Sequence, residues 1–276
     1  MGACNLEKEL IKEPRLCHLA LRLSDEALHV MIYNPIEDNS LIYRKISFGN
    51  AALTQLKAFE EAVYDNPVLL SDFKHIDIIV DTPHYVIVPT ELAEDTQLVD
   101  TIVAKSLPEV DGDVIECPID AQKATLLMVL DTNLVGFMRR TFNNPGINHN
   151  LVPLCKYFYY KHRWNNTGRM FANLGSKRLD LIVFGSDRLR MANSFTYRDP
   201  MDAAYYILSC RNSLGLDAET DEMLLAGDCK SRDILTSILR KYLGYVMPEV
   251  FPSTMFKAGK DAMLAPFDLI VIPLCE

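Results

Sequence analysis

The feature that most constrains this chain is a repeated order of elements. Twice along the sequence a β-hairpin is followed by an amphipathic helix, an apolar strand, a second helix and another apolar strand. Such a repetition calls for two α/β units, each with its own core. A chain of 276 residues, 49% of them hydrophobic, is long and apolar enough to build both.

In the first repetition, Leu16 to Tyr33 (LCHLALRLSDEALHVMIY) reads as two strands joined at Ser24-Asp25-Glu26, and Ser40 to Phe48 reads as a third. From Asn50 to Tyr64 the apolar residues Leu53, Leu56, Phe59 and Val63 recur every three or four positions, which predicts a helix with Asn50 as its N-cap. His75 to Val80 is a strand closed by Asp81-Thr82-Pro83. Tyr85 to Val88 is another, and Pro89 opens a helix from about Thr90 to Ser106. Strands at Gly112 to Pro118 and Ala124 to Leu130 and a helix at Asn133 to Phe142 follow. After the turn residues Asn143-Asn144-Pro145-Gly146, a strand at His149 to Pro153 feeds a helix that runs through Trp164. The predicted division is a polar leader over 1–15, an N-terminal unit over 16–165 and a C-terminal unit over 166–276.

The second repetition begins at Lys177. Leu179 to Phe184 is a strand, Gly185-Ser186-Asp187 a turn and Leu189 to Tyr197 the returning strand, after which Asp199-Pro200 caps a helix to about Leu214. Glu222 to Gly227 reads as a strand, Ser231 to Leu243 as a helix and Phe267 to Leu274 (FDLIVIPL) as a closing buried strand. The hairpin turns share a dipeptide, Ser24-Asp25 and Ser186-Asp187, although Ser-Asp is common turn chemistry and the element order carries more weight. Two related units predict sheets facing across a cleft, the usual place for a ligand.

Charge and cysteine usage narrow the function classes. With 28 Lys+Arg against 37 Asp+Glu the formal charge is −9, which argues against a broad nucleic-acid surface. Seven scattered cysteines without a C-x-x-C fit reduced thiols and a cytoplasmic protein better than a disulfide frame or a zinc site. No apolar run reaches the roughly 18 residues of a membrane span, and Leu6 stands where a myristoylation motif needs Ser or Thr, so direct membrane insertion is not expected.

Three constellations invite chemistry. His75, Asp77 and Asp81, with His84 nearby, suggest a metal site, but at ~3.3 Å per residue Asp77 and Asp81 stand ~13 Å apart along a strand, too far to share an ion. Gly185-Ser186 invites a nucleophile elbow, but no G-x-S-x-G surrounds Ser186. On the helix before Asn165, Leu151, Leu154, Cys155 and Phe158 form the core stripe. That leaves Tyr157, Tyr160, Lys161, Arg163 and Trp164 as an aromatic-basic face of the composition found at protein interfaces, for a protein partner or a homodimer.

With these duplicated units and hairpin turns, the chain resembles the actin-like ATPase superfamily of actin, sugar kinases and the seventy-kilodalton chaperones, in which two ribonuclease-H-like halves each begin with a β-hairpin. More closely it is similar to a bacterial family of unknown function assigned to that fold, related in shape to the actin-like subunits of type II secretion and type IV pilus assembly. The resemblance runs from Leu16 to Leu274. It implies an α/β fold of two ribonuclease-H-like lobes, and a nucleotide site at Ser24, Asp25, Gly185, Ser186, Asp187, Gly227 and Asp228. In ATP-binding members each hairpin turn carries an Asp followed by a Gly-rich loop, and the adenosine loop is a strand ending in paired glycines. Here the Asp25 turn has no glycine, Gly185 precedes Asp187, and Leu224-Leu225-Ala226-Gly227-Asp228 has one. Missing glycines put Cβ atoms where phosphates pass. The resemblance therefore implies a binding or assembly module without a cofactor. The alternative is an ATP-binding protein or phosphotransferase, with magnesium at Asp25 and Asp187 and Gly227 at the base of the site.

Overall fold

A computed structural model describes residues 11, 13–49, 53–162, 168–185 and 188–275. The chain divides into two compact units: residues up to Val152 together with Ser253–Ala265, and Pro153–Pro252 together with Pro266–Cys275.

The first unit opens with an antiparallel meander, β1 (His18–Leu23), β2 (Ala27–Tyr33) and β3 (Ile42–Ser47). Helix α1 (Gln55–Tyr64) then returns the chain to β4 (His75–Val80), which pairs parallel to β1. An inserted three-stranded antiparallel sheet follows, built from β5 (Tyr85–Pro89), β6 (Asp113–Ile119) and β7 (Ala124–Leu130) in the order β5-β7-β6, with α2 (Thr90–Ala93) and α3 (Thr96–Ser106) between β5 and β6. Helix α4 (Thr132–Thr141) leads to β8 (Gly146–His149), which completes the order β3-β2-β1-β4-β8, and α5 (Leu151–His162) carries the chain into the second unit. Alternation on β1 sends Leu19, Leu21 and Leu23 into the core, each fully buried, while His18 and Arg22 point the opposite way. The buried Phe59 of α1 meets Phe137 of α4 edge-on at 5.4 Å, and removing such a ring from water contributes about 2–3 kcal/mol.

The second unit repeats the pattern. β9 (Arg169–Leu174), β10 (Arg178–Phe184) and β11 (Leu189–Thr196) form the meander, α6 (Pro200–Ser213) returns to β12 (Glu222–Gly227) parallel to β9, and α7 (Cys229–Leu239) leads to β13 (Val246–Pro248), for the order β11-β10-β9-β12-β13. Met170, Ala172 and Leu174 of β9 and Leu179, Leu181 and Val183 of β10 pack with Ala203, Ile207, Leu235 and Leu239 of the two helices. Along the chain follow two short helices, α8 (Ser253–Ala258), which belongs to the first unit, and α9 (Phe267–Ile270), which belongs to the second.

Several expectations are corrected. Helix α1 starts at Gln55 and is capped by Thr54, whose side chain accepts from the Lys57 amide; Asn50 lies outside the described residues. The predicted helix from Thr90 to Ser106 is two, because the Asp95 carboxylate accepts the amides of Gln97 and Leu98 and starts a new helix. Phe267 to Leu274 is α9 and a 3-10 turn rather than a strand. Phe267 to Ile272 are all buried, so the sequence has no exposed polar face from which to read a period, and Pro266 and Pro273 suit helical starts. The strand placed at His149 to Pro153 is β8, ending at His149, with α5 beginning two residues later. Finally, β9 precedes the restart expected at Lys177, so the second meander begins one strand earlier than the sequence pattern predicts.

Candidate functional site

The β1–β2 turn is closed by its own residues. Ser24 N donates to the Ala27 carbonyl at 3.1 Å, Ala27 N donates to Ser24 Oγ at 3.3 Å, and Phe48 N donates to the Glu26 carbonyl at 2.9 Å. Asp25 Oδ1 accepts from Gln55 Nε2 at 3.2 Å. Below the turn, Arg22 Nη2 and Asp81 Oδ2 lie 2.8 Å apart with side-chain exposures of only 11% and 6%. The pair joins the C-terminal ends of β1 and β4, a proximity set by the Leu23–Val80 register.

His29 stands opposite Arg22 on β2, with Nδ1 2.8 Å from the Tyr43 hydroxyl. Burial, and then the charges of Arg22 and Lys45, lower its pKa to about 3, against a smaller opposing pull from Asp81. The unfolded chain binds a proton here below the ordinary imidazole pKa of about 6.5 and the folded chain does not, so stability falls as pH drops from 6.5 towards 3. Between pH 7 and pH 4.5 the wild-type chain should lose about 2 kcal/mol more than His29→Gln in urea titrations. Equal losses would show that His29 does not set this pH dependence.

His149, which the sequence did not single out as a functional residue, is fully buried at the end of β8. Leu151 N donates to its Nδ1 at 3.2 Å, which leaves Nε2 to donate to the Thr82 carbonyl at 2.9 Å, and the Tyr85 ring lies 4.3 Å away. It ties the turn after β4 to the start of α5. The other acidic and histidine candidates are dispersed. His75 pairs with Asp77 at 3.1 Å, Asp81 belongs to Arg22, and among the described residues no three His, Cys, Asp or Glu side chains are placed to hold a metal.

In the second unit, sheet order makes β9–β10 the counterpart of β1–β2. The turn at Gly185 joins β10 to β11 and so corresponds to the β2–β3 connection; the shared Ser-Asp dipeptide does not mark equivalent turns. Ser186 and Asp187 lie outside the described residues, and Gly185 N donates to the Arg188 carbonyl at 2.8 Å. The true counterpart of the Asp25 turn is Gly175-Ser176-Lys177, where the Gly175 carbonyl accepts from the Tyr197 hydroxyl at 2.6 Å. A signal was present in the alternation Met170, Ala172, Leu174, but Phe171 and Asn173 are buried as well and hid the period.

Gly227 and Asp228 lie against the end of β9. Gly227 has φ +88°, and a Cβ there would stand 2.2 Å from the Leu174 carbonyl oxygen. Asp228 N donates to that same carbonyl at 2.8 Å, and the Asp228 carboxylate caps α7 by accepting Ser231 N at 2.8 Å. Beside them Asp180, 2% exposed, accepts from Asn173 Nδ2 at 3.0 Å and Ser194 Oγ at 2.7 Å.

On α5 the aromatic-basic face is smaller than expected. Tyr157 is buried, its ring 5.3 Å from Phe158 and 5.5 Å from Phe267, because apolar neighbours from α9 close over it. Lys161 Nζ hydrogen-bonds the buried Glu249 carboxylate, and donates to Tyr157 Oη at 3.1 Å and the Val250 carbonyl at 3.3 Å. Burial pushes the Tyr157 hydroxyl pKa up. It pulls Lys161 down, but the hydrogen bonds that Lys161 donates to Glu249 and Tyr157 outweigh it, so the ammonium is held above its ordinary value. Tyr160 is exposed, and Arg163 and Trp164 lie outside the described residues.

Comparison with known proteins places this geometry. The pattern of the family described as "Protein of unknown function (DUF3822)" matches residues 7–246. A search of curated proteins gave no match. Among solved structures, a protein with actin-like ATPase fold and unknown function from Bacteroides thetaiotaomicron VPI-5482 superposes with a TM-score of 0.79 at 20% identity, covering 95% of this chain and 97% of its own. The PilM-PilN type IV pilus biogenesis complex matches with a TM-score of 0.52 at 14% identity, covering 95% and 98%. The fold class expected from the repeat is therefore the fold of this chain: α/β, with the actin-like ATPase architecture. No helix among the described residues is long and apolar enough to cross a membrane.

Proposed function

The chain belongs to the DUF3822 family of unknown function, and from that premise we propose that it is a protein-binding or assembly module on an actin-like ATPase fold whose nucleotide site is degenerate. The observation that carries this reading is how the candidate groups are used. Asp25 holds Gln55, and two amides of its turn are bonded within the turn. Asp228 caps α7, and the glycine at 227 is required by the backbone of Leu174 packed against it. A phosphate-binding loop needs the opposite, bare amides and glycines whose open space faces a ligand. The described residues at these positions do not fit ATP with magnesium. A protein partner is further supported by the PilM-PilN complex, in which a structurally similar protein is assembled with another chain. We further propose a cytoplasmic location, the reading favoured by scattered cysteines without a C-x-x-C.

Scanning fluorimetry with ATP or ADP plus magnesium tests the reading. A ligand at 100 times its Kd stabilises by about 2.7 kcal/mol, several degrees in Tm, and the expected result is no shift. A nucleotide-dependent rise would instead support the alternative, an ATP-binding protein or phosphotransferase.

A further inference from the structure

The two large sheets correspond strand for strand, β3-β2-β1-β4-β8 to β11-β10-β9-β12-β13. The ends of the parallel strands fix the register of that correspondence. Leu23 pairs with Val80 as Leu174 pairs with Gly227, and in each unit the next amide, of Asp81 or Asp228, donates to the Leu23 or Leu174 carbonyl at 2.8 Å. One residue before those ends, a cross-strand row runs over three strands on the face opposite Leu23 or Leu174. In the second unit the row is Asn173, Asp180 and Ser194; in the first it is Arg22, His29 and Lys45.

The two rows are filled differently. In the second unit the middle position is a buried carboxylate held from both flanks, Asp180 accepting from Asn173 Nδ2 at 3.0 Å and from Ser194 Oγ at 2.7 Å. In the first, all three side chains are donors. Arg22, Lys45 and Asp81 are the charges that act on His29, and they leave one positive charge in excess. Asp81 is paired with Arg22 at 2.8 Å, whereas the exposed Lys45 ammonium has no ion pair among the described residues. Opposite residues on neighbouring strands have Cβ atoms about 4.5–5.5 Å apart, so a group placed over His29 is within reach of both flanking cations.

We propose that the first row is a binding site for a carboxylate that comes from outside the chain, seated between His29 and Lys45 where the second unit carries Asp180. The Lys45 ammonium and His29 Nε2 donate to it, and Arg22 adds its field from the other flank. The imidazole is neutral at neutral pH, and with the Tyr43 hydroxyl donating to Nδ1 its own proton stands on Nε2. A single negative charge balances the row, while a dianion such as phosphate would overshoot it. The inference goes beyond the reading of the chain as a binding module and does not depend on it.

The probe is acetate, titrated into the full chain at neutral pH with chloride holding the ionic strength constant, and followed by NMR shifts of the His29 ring and the Lys45 amide. Wild type should show saturable shifts that chloride does not produce, and Lys45→Gln should weaken acetate binding by about fivefold, the effect of one exposed ion pair. His29→Asp supplies the carboxylate from within, on the pattern of Asp180. It should abolish the acetate response at the Lys45 amide and unfold at higher urea than His29→Asn, which has nearly the same shape without the charge. Chloride reproducing the acetate shifts, Lys45→Gln binding acetate as wild type does, or His29→Asp being no more stable than His29→Asn overturns the proposal. Tighter binding of inorganic phosphate than of acetate overturns the choice of a carboxylate. Nucleotide response is read separately by fluorimetry, so either result can fail without the other.

Discussion

Gly227→Ala should lower the stability of the protein by about 3 kcal/mol or more. Two costs combine. At φ +88° any L side chain is strained, for about 1 kcal/mol, and the new Cβ would sit 2.2 Å from Leu174 O and 2.6 Å from Leu174 N. Both are backbone atoms and cannot swing aside as a flexible side chain would. The ends of β9 and β12 would have to separate, weakening the Asp228 amide bond to Leu174 that starts α7. Gly215 supplies the control, since its φ is +65° and a Cβ there meets nothing within 4 Å. Gly215→Ala should therefore cost only about 1 kcal/mol. Urea midpoints for the two variants separate strain from collision, and equal losses would show that the close approach to Leu174 carries no weight. The comparison bears on function too: a glycine kept for phosphate would cost binding when replaced, whereas one kept for packing costs stability.

What could be read from the sequence depended on whether an element has two unlike faces. Helix α1 was legible because Ala58, Phe59, Ala62 and Val63 are buried while Lys57, Glu60 and Glu61 are not, which leaves a clear 3.6-residue period. The Ser24 hairpin was legible because turn chemistry interrupts two apolar runs. β9 and the segment from Phe267 to Ile272 were not, because both are buried on nearly all sides and an apolar run without a polar face does not state its period. Missing β9 shifted the second hairpin by one strand and so paired Ser186-Asp187 with the wrong turn. The repeat itself survived that error, since meander, helix and parallel strands recur in the same order in both sheets. The polar contacts around the candidate residues were the least legible. Arg22 and Asp81 are 59 positions apart and meet only through the parallel register of β1 and β4.

That pair gives the second large effect: Asp81→Ala should cost about 3–5 kcal/mol, the range for leaving one member of a buried ion pair uncompensated. Desolvating a guanidinium is expensive, and at 11% exposure Arg22 has little water to replace the lost carboxylate. The loss should not equal the net contribution of the pair, because removing both charges removes the desolvation cost as well. Arg22→Met combined with Asp81→Leu should recover most of the stability lost by Asp81→Ala, and the coupling energy from the full cycle of single and double variants measures the interaction. His29 reports on the same electrostatics independently. Arg22 lowers its pKa and Asp81 raises it, so Arg22→Met should move the His29 titration upward from about 3 and Asp81→Ala should move it further down, as followed by imidazole NMR shifts. If Asp81→Ala is as stable as wild type, or if His29 shifts the same way in both variants, the ion pair does not organise the strand ends beside the β1–β2 turn. If both results hold, the Asp81 carboxylate below that turn is committed to a largely buried arginine, and the first unit keeps the C-terminal ends of β1 and β4 together by charge.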